Sequence, residues 1–246
     1  MKTSRDFALK AGVLAAGRGE RLRSGSNPFK PLVKIGGKTL IERVLTAMGE
    51  AGASEVVVII NEDSLAVRDH VAAFEWSFAL RWIVETTSTS MHSFLRVVET
   101  LAADNHDGPF LLSTVDTVAS AQTYTEFIRE ARELVDATIA LALASPGDDE
   151  KPLFVKMAAG NSRIVAIGNA AASSDYATAG LYAVWPGILR EADSARSDGV
   201  DALRTFLARL LERGYHIAGI PIARAIDVDR PADIKTAEDF LKSAAR

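Results

Sequence analysis

Cysteine is missing from the 246 residues of this chain. Its absence excludes disulfide staples and thiolate metal sites, and it leaves the redox compartment open. Long apolar runs are missing too. Nothing approaches the roughly 20 residues that cross a bilayer, so no membrane partner is expected. Lys2 and Arg5 precede an apolar stretch as they would in a secretion signal, but Lys10 interrupts it and Gly12 to Gly17 are needed for a loop. The stretch is read as a first strand and the chain as cytoplasmic. Positive charge is not in excess, because the net charge is −4. That gives no general attraction for nucleic acid, so no nucleic-acid partner is expected and any cationic site must be local. The remaining composition, 48% hydrophobic and 24% charged, suits a large single core. Without a repeat, a low-complexity tract or a linker, one domain is expected over 1–246, with halves 1–135 and 136–246.

Two common phosphate loops are present only in fragment. Gly17-x-Gly19 opens a dinucleotide fingerprint, but its third glycine would fall at Leu22. Gly37-Lys38-Thr39 looks like the end of a P-loop whose first glycine would have to stand at Leu32. Gly36-Gly37 is therefore read as a tight turn between Leu32–Ile35 and a helix starting near Thr39. What is present is Leu14-Ala15-Ala16-Gly17-Arg18-Gly19, then Arg21, then Lys30-Pro31-Leu32. Gly17 and Gly19 let the backbone turn and aim N–H groups at an anion, while Arg18, Arg21 and Lys30 add positive charge. Such a loop suits a polyphosphate.

Strand and helix signals alternate along the first half: strand Ala11–Ala15, helix Thr39–Ala51, strand Glu55–Ile60, helix Ser64–Phe74, strand Leu80–Val84, helix Ser90–Ala103 and strand Phe110–Ser113. Repeated βα units imply a parallel sheet. From Thr138 the rhythm changes. Thr138–Leu143, Leu153–Met157, Ile164–Ile167 and Tyr176–Val184 read as consecutive strands that would form an antiparallel extension over the open edge. A helix over Val200–Arg213, a strand over Tyr215–Ile220 and a helix after Pro231 finish the chain. Asp116 follows an apolar strand, so it should lie at the carboxyl end of the sheet, where open α/β folds bind ligands. Asp227 and Asp229 stand on one side of an extended segment. Asp229 is expected to cap the helix that begins at Pro231.

The stretch Leu14 to Leu45 resembles the N-terminal part of the nucleotidyltransferase superfamily that includes sugar-1-phosphate nucleotidyltransferases and MobA-like domains. Leu14-Ala15-Ala16-Gly17, Gly19, Arg21, Lys30-Pro31-Leu32 and Gly37-Lys38-Thr39-Leu40-Ile41 match its pattern, with Phe29 where the family more often has proline. The resemblance implies a three-layer α/β/α sandwich, Rossmann-like, with a mixed, mostly parallel central sheet and a small antiparallel extension. It also implies an enzyme that moves a nucleotidyl group from a nucleoside triphosphate to a phosphorylated acceptor, a sugar-1-phosphate in first place. Half 1–135 would bind the nucleotide and half 136–246 the acceptor. Asp116 and Asp227 would hold Mg²⁺, whose preference is for hard oxygen ligands. Lys30 would sit on the α-phosphate, Arg21 with the Gly17–Gly19 amides would hold the departing pyrophosphate, and Leu14, Ala15, Ala16, Gly17, Arg18 and Gly19 together would bind the nucleotide.

The remaining motifs are less uniform. The family's base-reading Gly-Thr is replaced by Thr89-Ser90, whose hydroxyls could pair with a base edge or could simply start a helix. Tyr176-Ala-Thr-Ala-Gly-Leu-Tyr182 resembles the acceptor-side strand, which makes Thr178 and Gly180 acceptor candidates. The family's lysine after Ile-Gly is Asn169 here. Two alternatives stay open: a cytidylyltransferase acting on a phosphocholine-like or other phosphate ester, and a non-catalytic nucleotide-binding regulator on the same fold. A homo-oligomer is compatible with all of them.

Overall fold

The computed structural model describes residues 8–17, 19–22, 29–104, 106–134, 136–147 and 150–244. Its strands, in chain order, are β1 (Leu9–Leu14), β2 (Lys34–Ile35), β3 (Lys38–Thr39), β4 (Ala53–Ile60), β5 (Ala79–Val84), β6 (Phe110–Thr114), β7 (Thr117–Val118), β8 (Ile139–Ala144), β9 (Val155–Met157), β10 (Ile164–Ile167), β11 (Ala177–Val184), β12 (Ile217–Pro221) and β13 (Ile226–Asp227). The helices are α1 (Leu40–Glu50), α2 (Leu65–Val71), α3 (Ser90–Ala102), α4 (Ala121–Arg132), α5 (Ala192–Ser197), α6 (Leu203–Glu212) and α7 (Pro231–Ala244).

One seven-stranded sheet runs in the order β12-β8-β11-β6-β1-β4-β5. All neighbours pair in parallel except β11, which lies antiparallel between β6 and β8. Period two sorts each strand onto two cores. On β4, Val56, Val58 and Ile60 face a core shared with α1, α4 and Ala237 of α7, while Val57 and Ile59 face one shared with α3, α5 and α6. The sheet is thus covered on both sides, the three-layer α/β/α arrangement read from the sequence.

The extension differs from expectation. Only β9 and β10 form a separate antiparallel pair, whereas β8 and β11 belong to the central sheet. The reason is burial. All six residues of β8 are buried, so the strand needs cover on both faces, which an edge flap does not provide. Near the N-terminus, β2 and β3 form a hairpin about Gly36-Gly37, and Thr39 closes α1 with a capping box: its hydroxyl accepts from the Glu42 N–H while the Glu42 carboxylate accepts from the Thr39 N–H at 2.7 Å. The tight turn read at Gly36-Gly37 is there. No helix among the described residues is long and apolar enough to cross a membrane.

Candidate active site

The chain runs from β1 to β4 and β5 on one side and then returns to β6 on the other, so the sheet order reverses at β1. Ligands of open α/β sheets bind outside the carboxyl ends of strands at such a point. The segment after β1 is tied down there by its neighbours: the Ala15 N–H donates to the Ile59 carbonyl at 3.0 Å, and Asn61 Nδ2 donates to the Ala16 carbonyl at 2.6 Å. The Leu14 carbonyl accepts from the Val115 N–H at 3.1 Å, joining the loop to the segment that carries Asp116. Arg18 lies outside the described residues. Gly19 has φ +57°, and a side chain there would place its Cβ 2.4 Å from Lys30 Cβ, so glycine is what lets the lysine stem pass under the loop. Gly17 has no such constraint, since nothing lies within 4 Å of where its Cβ would be. The turning requirement assigned to both glycines belongs to Gly19.

Lys30 opens a short 3₁₀ turn through Leu32, in which Pro31 fixes the backbone and the Val33 N–H donates to the Lys30 carbonyl. Its side chain is only 6% exposed. Nζ donates to Asp116 Oδ2 at 2.5 Å and also to Asp229 Oδ1. Burial alone would lower the pKa of this amine, but the charge and hydrogen bond of Asp116, then the hydrogen bond of Asp229 and the charge of Asp227, raise it above the ordinary lysine value. Lys30 is therefore a fixed cation at neutral pH.

Asp116, Asp227 and Asp229 can each turn one carboxylate oxygen so that all three lie within 4.8 Å of one another. Two backbone links make the group. β7 pairs antiparallel with β13, with Asp227 opposite Thr117, and the Val228 N–H donates to the Asp116 carbonyl at 3.1 Å. Gly180 of β11 backs the same segment: its φ is +68°, and a Cβ would lie 2.0 Å from Thr117 Oγ1 and 2.7 Å from Thr114 Oγ1, whose hydroxyls bond each other at 2.8 Å. Below them Ser113 Oγ is hydrogen-bonded to the buried Tyr124 hydroxyl at 2.9 Å, and burial pushes the Tyr124 pKa up to about 12.

Lys30, Asp116 and Asp227 are thus brought together, with Asp229 as a third carboxylate that the sequence reading placed elsewhere. Asp229 does not cap α7. Asp233 does, its Oδ2 accepting from the Asp229 N–H at 3.0 Å and the Arg230 N–H at 2.7 Å. Both aspartates flank Pro231, and the tertiary position of Lys30 decides which one turns inward. Arg21 stands at the rim, where Nη1 lies 3.4 Å from Glu150 Oε2. Thr89 and Ser90 are engaged structurally: Thr89 Oγ1 accepts from the His92 N–H at the start of α3, and Ser90 Oγ accepts from the Leu203 N–H at 3.0 Å. They border a polar concavity of about 530 Å³ lined by Glu85, Thr86, Thr87, Ser88, His92 and Arg96, among others. The Thr178 N–H donates to the Leu153 carbonyl at 3.0 Å, which joins β11 to the approach to β9. Asn169 is exposed in a 3₁₀ turn after β10.

A family model described as the MobA-like NTP transferase domain matches residues 11–180. The chain belongs to that family. Among curated relatives of this MobA-like chain, the bifunctional IPC transferase and DIPP synthase of Rubrobacter xylanophilus is 29% identical over a 254-residue alignment, covering 98% of this chain and 53% of that protein. The 2-C-methyl-D-erythritol 4-phosphate cytidylyltransferase of Thermobifida fusca is 30% identical over 168 residues, 67% of this chain and 64% of that one. The chain spans about half the length of the first of these relatives. The solved inositol-1-phosphate CTP transferase of T. maritima superposes with a TM-score of 0.76 at 20% identity, covering 96% of each chain. A glucose-1-phosphate thymidylyltransferase from Bacillus anthracis, named as putative in its description, superposes at 0.78 and 14% identity over 95% of each. The fold is that of the nucleotidyltransferases.

Proposed function

We propose that this protein transfers a nucleoside monophosphate from a nucleoside triphosphate to a phosphorylated small-molecule acceptor, a sugar-1-phosphate being the first choice, and releases pyrophosphate. The observation that carries the reading is Lys30, a buried ammonium lodged between Asp116 and Asp229 beside Asp227, directly under the glycine loop. Three convergent carboxylates offer a hard divalent cation its preferred oxygen ligands, and they already hold one cation, the Lys30 ammonium. Asp116, Asp227 and Asp229 would hold Mg²⁺, which when bound supplies charge neutralisation for the triphosphate.

An oxygen of the acceptor's phosphate attacks the α-phosphorus, the bond from that phosphorus to the β-bridging oxygen breaks, and the electron pair leaves with pyrophosphate. No protein base is required, because a phosphate monoester is already ionised at neutral pH. The chain's contribution is positioning and charge. Lys30 donates to the α-phosphate oxygens as charge builds on them. Arg21 and the Gly17–Gly19 amides take the departing pyrophosphate.

A cytidylyl donor with a non-sugar phosphate ester is the second reading, favoured by the cytidylyltransferase of T. fusca and the CTP transferase of T. maritima among the similar proteins. A screen of pyrophosphate release, crossing the NTPs and dTTP with sugar-1-phosphates, inositol phosphate and phosphocholine, separates the two. Release is expected for one pair, to require Mg²⁺, and to fall by about 10²-fold in Lys30→Ala, the scale of losing one preorganised donor. Full activity in folded Lys30→Ala or Asp227→Ala protein refutes the site. Nucleotide binding without release for any acceptor favours the regulatory alternative.

A further inference from the structure

Arg21 is not alone at the rim. Glu150, in the connection between β8 and β9, accepts from Arg21 Nη1 at 3.4 Å with Oε2 and from Arg230 Nη1 at 3.0 Å with Oε1. Two guanidinium groups from distant segments, one on the loop after β1 and one at the start of α7, converge on a single carboxylate. Arg230 is held from behind: its Nη2 lies 3.1 Å from Asp233 Oδ1 and its Nε 3.5 Å from Asp233 Oδ2, while Nη1 points to Glu150. It also directly follows Asp229, whose carboxylate is on Lys30. The paired cations therefore border the carboxylate cluster.

We propose that Arg230 and Arg21 form a two-arginine cradle for the pyrophosphate part of the triphosphate, and that Glu150 fills this cradle as an internal carboxylate until a polyphosphate displaces it. The inference rests on the transferase reading above and adds two residues to it. A guanidinium presents the same two-pronged N–H face to a carboxylate and to a phosphate, so one can replace the other with little rearrangement. The exchange is favoured by exposure. Glu150 and Arg21 are about half exposed, at 50% and 55%, and exposed ion pairs contribute little stability. A pyrophosphate brings more negative charge than the carboxylate it displaces. Release of product would then be helped by Glu150 returning.

The alternative is that Glu150 merely straps the β8–β9 connection to the rest of the molecule. Titration calorimetry with inorganic pyrophosphate in excess Mg²⁺, alongside turnover with the pair found in the screen, decides between them. Removing the competitor in Glu150→Gln should tighten pyrophosphate binding at least threefold and lower its product-inhibition constant equally. Arg230→Gln should weaken binding at least tenfold, and in that background Glu150→Gln should lose most of its gain, which separates a local exchange from a general charge effect. A strap predicts unchanged or weaker pyrophosphate binding in Glu150→Gln, and that result overturns the proposal. Because Glu150 is exposed on a connection, this variant reports even where Arg230→Gln folds poorly. Wild-type turnover with indifferent Glu150→Gln refutes the cradle alone, whereas no turnover and no pyrophosphate binding in the wild type removes the transferase reading and the cradle with it.

Discussion

Gly180→Ala tests the geometry behind the carboxylates. The new methyl would sit 2.0 Å from Thr117 Oγ1 and 2.7 Å from Thr114 Oγ1, on a residue whose φ is +68°. The left-handed backbone costs an L-residue about 1–2 kcal/mol, and overpacking at a tight contact costs about 1–3 kcal/mol more. Lower entropy of the unfolded chain offsets about 0.4–1 kcal/mol. The net is a destabilisation of about 3 kcal/mol. For a chain of this length each kcal/mol moves the melting temperature by roughly 2–4 °C, so a drop of roughly 6–12 °C is expected by calorimetry or circular dichroism. Activity should fall further than stability, because Thr117 is the residue opposite Asp227 in the β7–β13 pair and lies next to Asp116. Thr117→Ala removes the closest atom and should restore part of the loss in the double variant, while Thr117 Cβ at 3.4 Å and Thr114 Oγ1 remain. A Gly180→Ala protein melting within 2 °C of wild type refutes the packing argument.

Asp229→Asn and Asp233→Asn should separate two roles that the sequence confuses. The first removes a carboxylate from Lys30, so it should raise the Mg²⁺ concentration for half-maximal pyrophosphate release at least tenfold while leaving the melting temperature nearly unchanged. The second weakens the acceptor of the Asp229 and Arg230 N–H groups, so it should cost up to about 1 kcal/mol, the scale of a lost cap, with little effect on Mg²⁺ dependence. The reverse pattern would restore Asp229 as the cap. His106 gives a pH signature. Burial beside Phe110, and then the charge of Lys10, hold its pKa below the ordinary 6.5. The unfolded chain thus binds its proton first, so the stability due to His106 is complete above about pH 6.5 and is lost as pH falls through the lower folded value. Urea melts from pH 8 to pH 5 should show a shallower acid decline in His106→Leu than in wild type, and parallel declines would contradict this assignment.

The sequence was most legible where function depends on local order. Lys30-Pro31-Leu32, the loop before it, and an aspartate following an apolar strand could be read as strings, and the structure brings Lys30, Asp116 and Asp227 together. It was least legible where two local solutions were equally good. Asp229 and Asp233 each stand two residues from Pro231, and only the lysine arriving from residue 30 distinguishes them. Similarly, β8 and β11 are flanked by the turn residues of an antiparallel block, yet the six buried residues of β8 and the buried Leu181–Val184 end of β11 require two covered faces and draw them into the main sheet. Glu150 and Arg230 left no local signal. Their contact joins positions 80 residues apart.

Under the proposed function, the charge arrangement favours a divalent cation over a further lysine at this site. Asp116, Asp227 and Asp229 gather three carboxylates around the Lys30 ammonium. Among the described residues, Arg21 is paired with Glu150, and Arg230 with Glu150 and Asp233. Such a carboxylate group would attract a divalent cation and disfavour a bare triphosphate, so in the proposed reaction the nucleotide would enter as its metal complex. Under the proposed function, a cation held by the three carboxylates would share their charge with Lys30 and leave its ammonium available to the α-phosphate. The same residue would then both tie the carboxylates together and serve the substrate. That double duty would suit a lysine only 6% exposed, whose pKa burial by itself would lower.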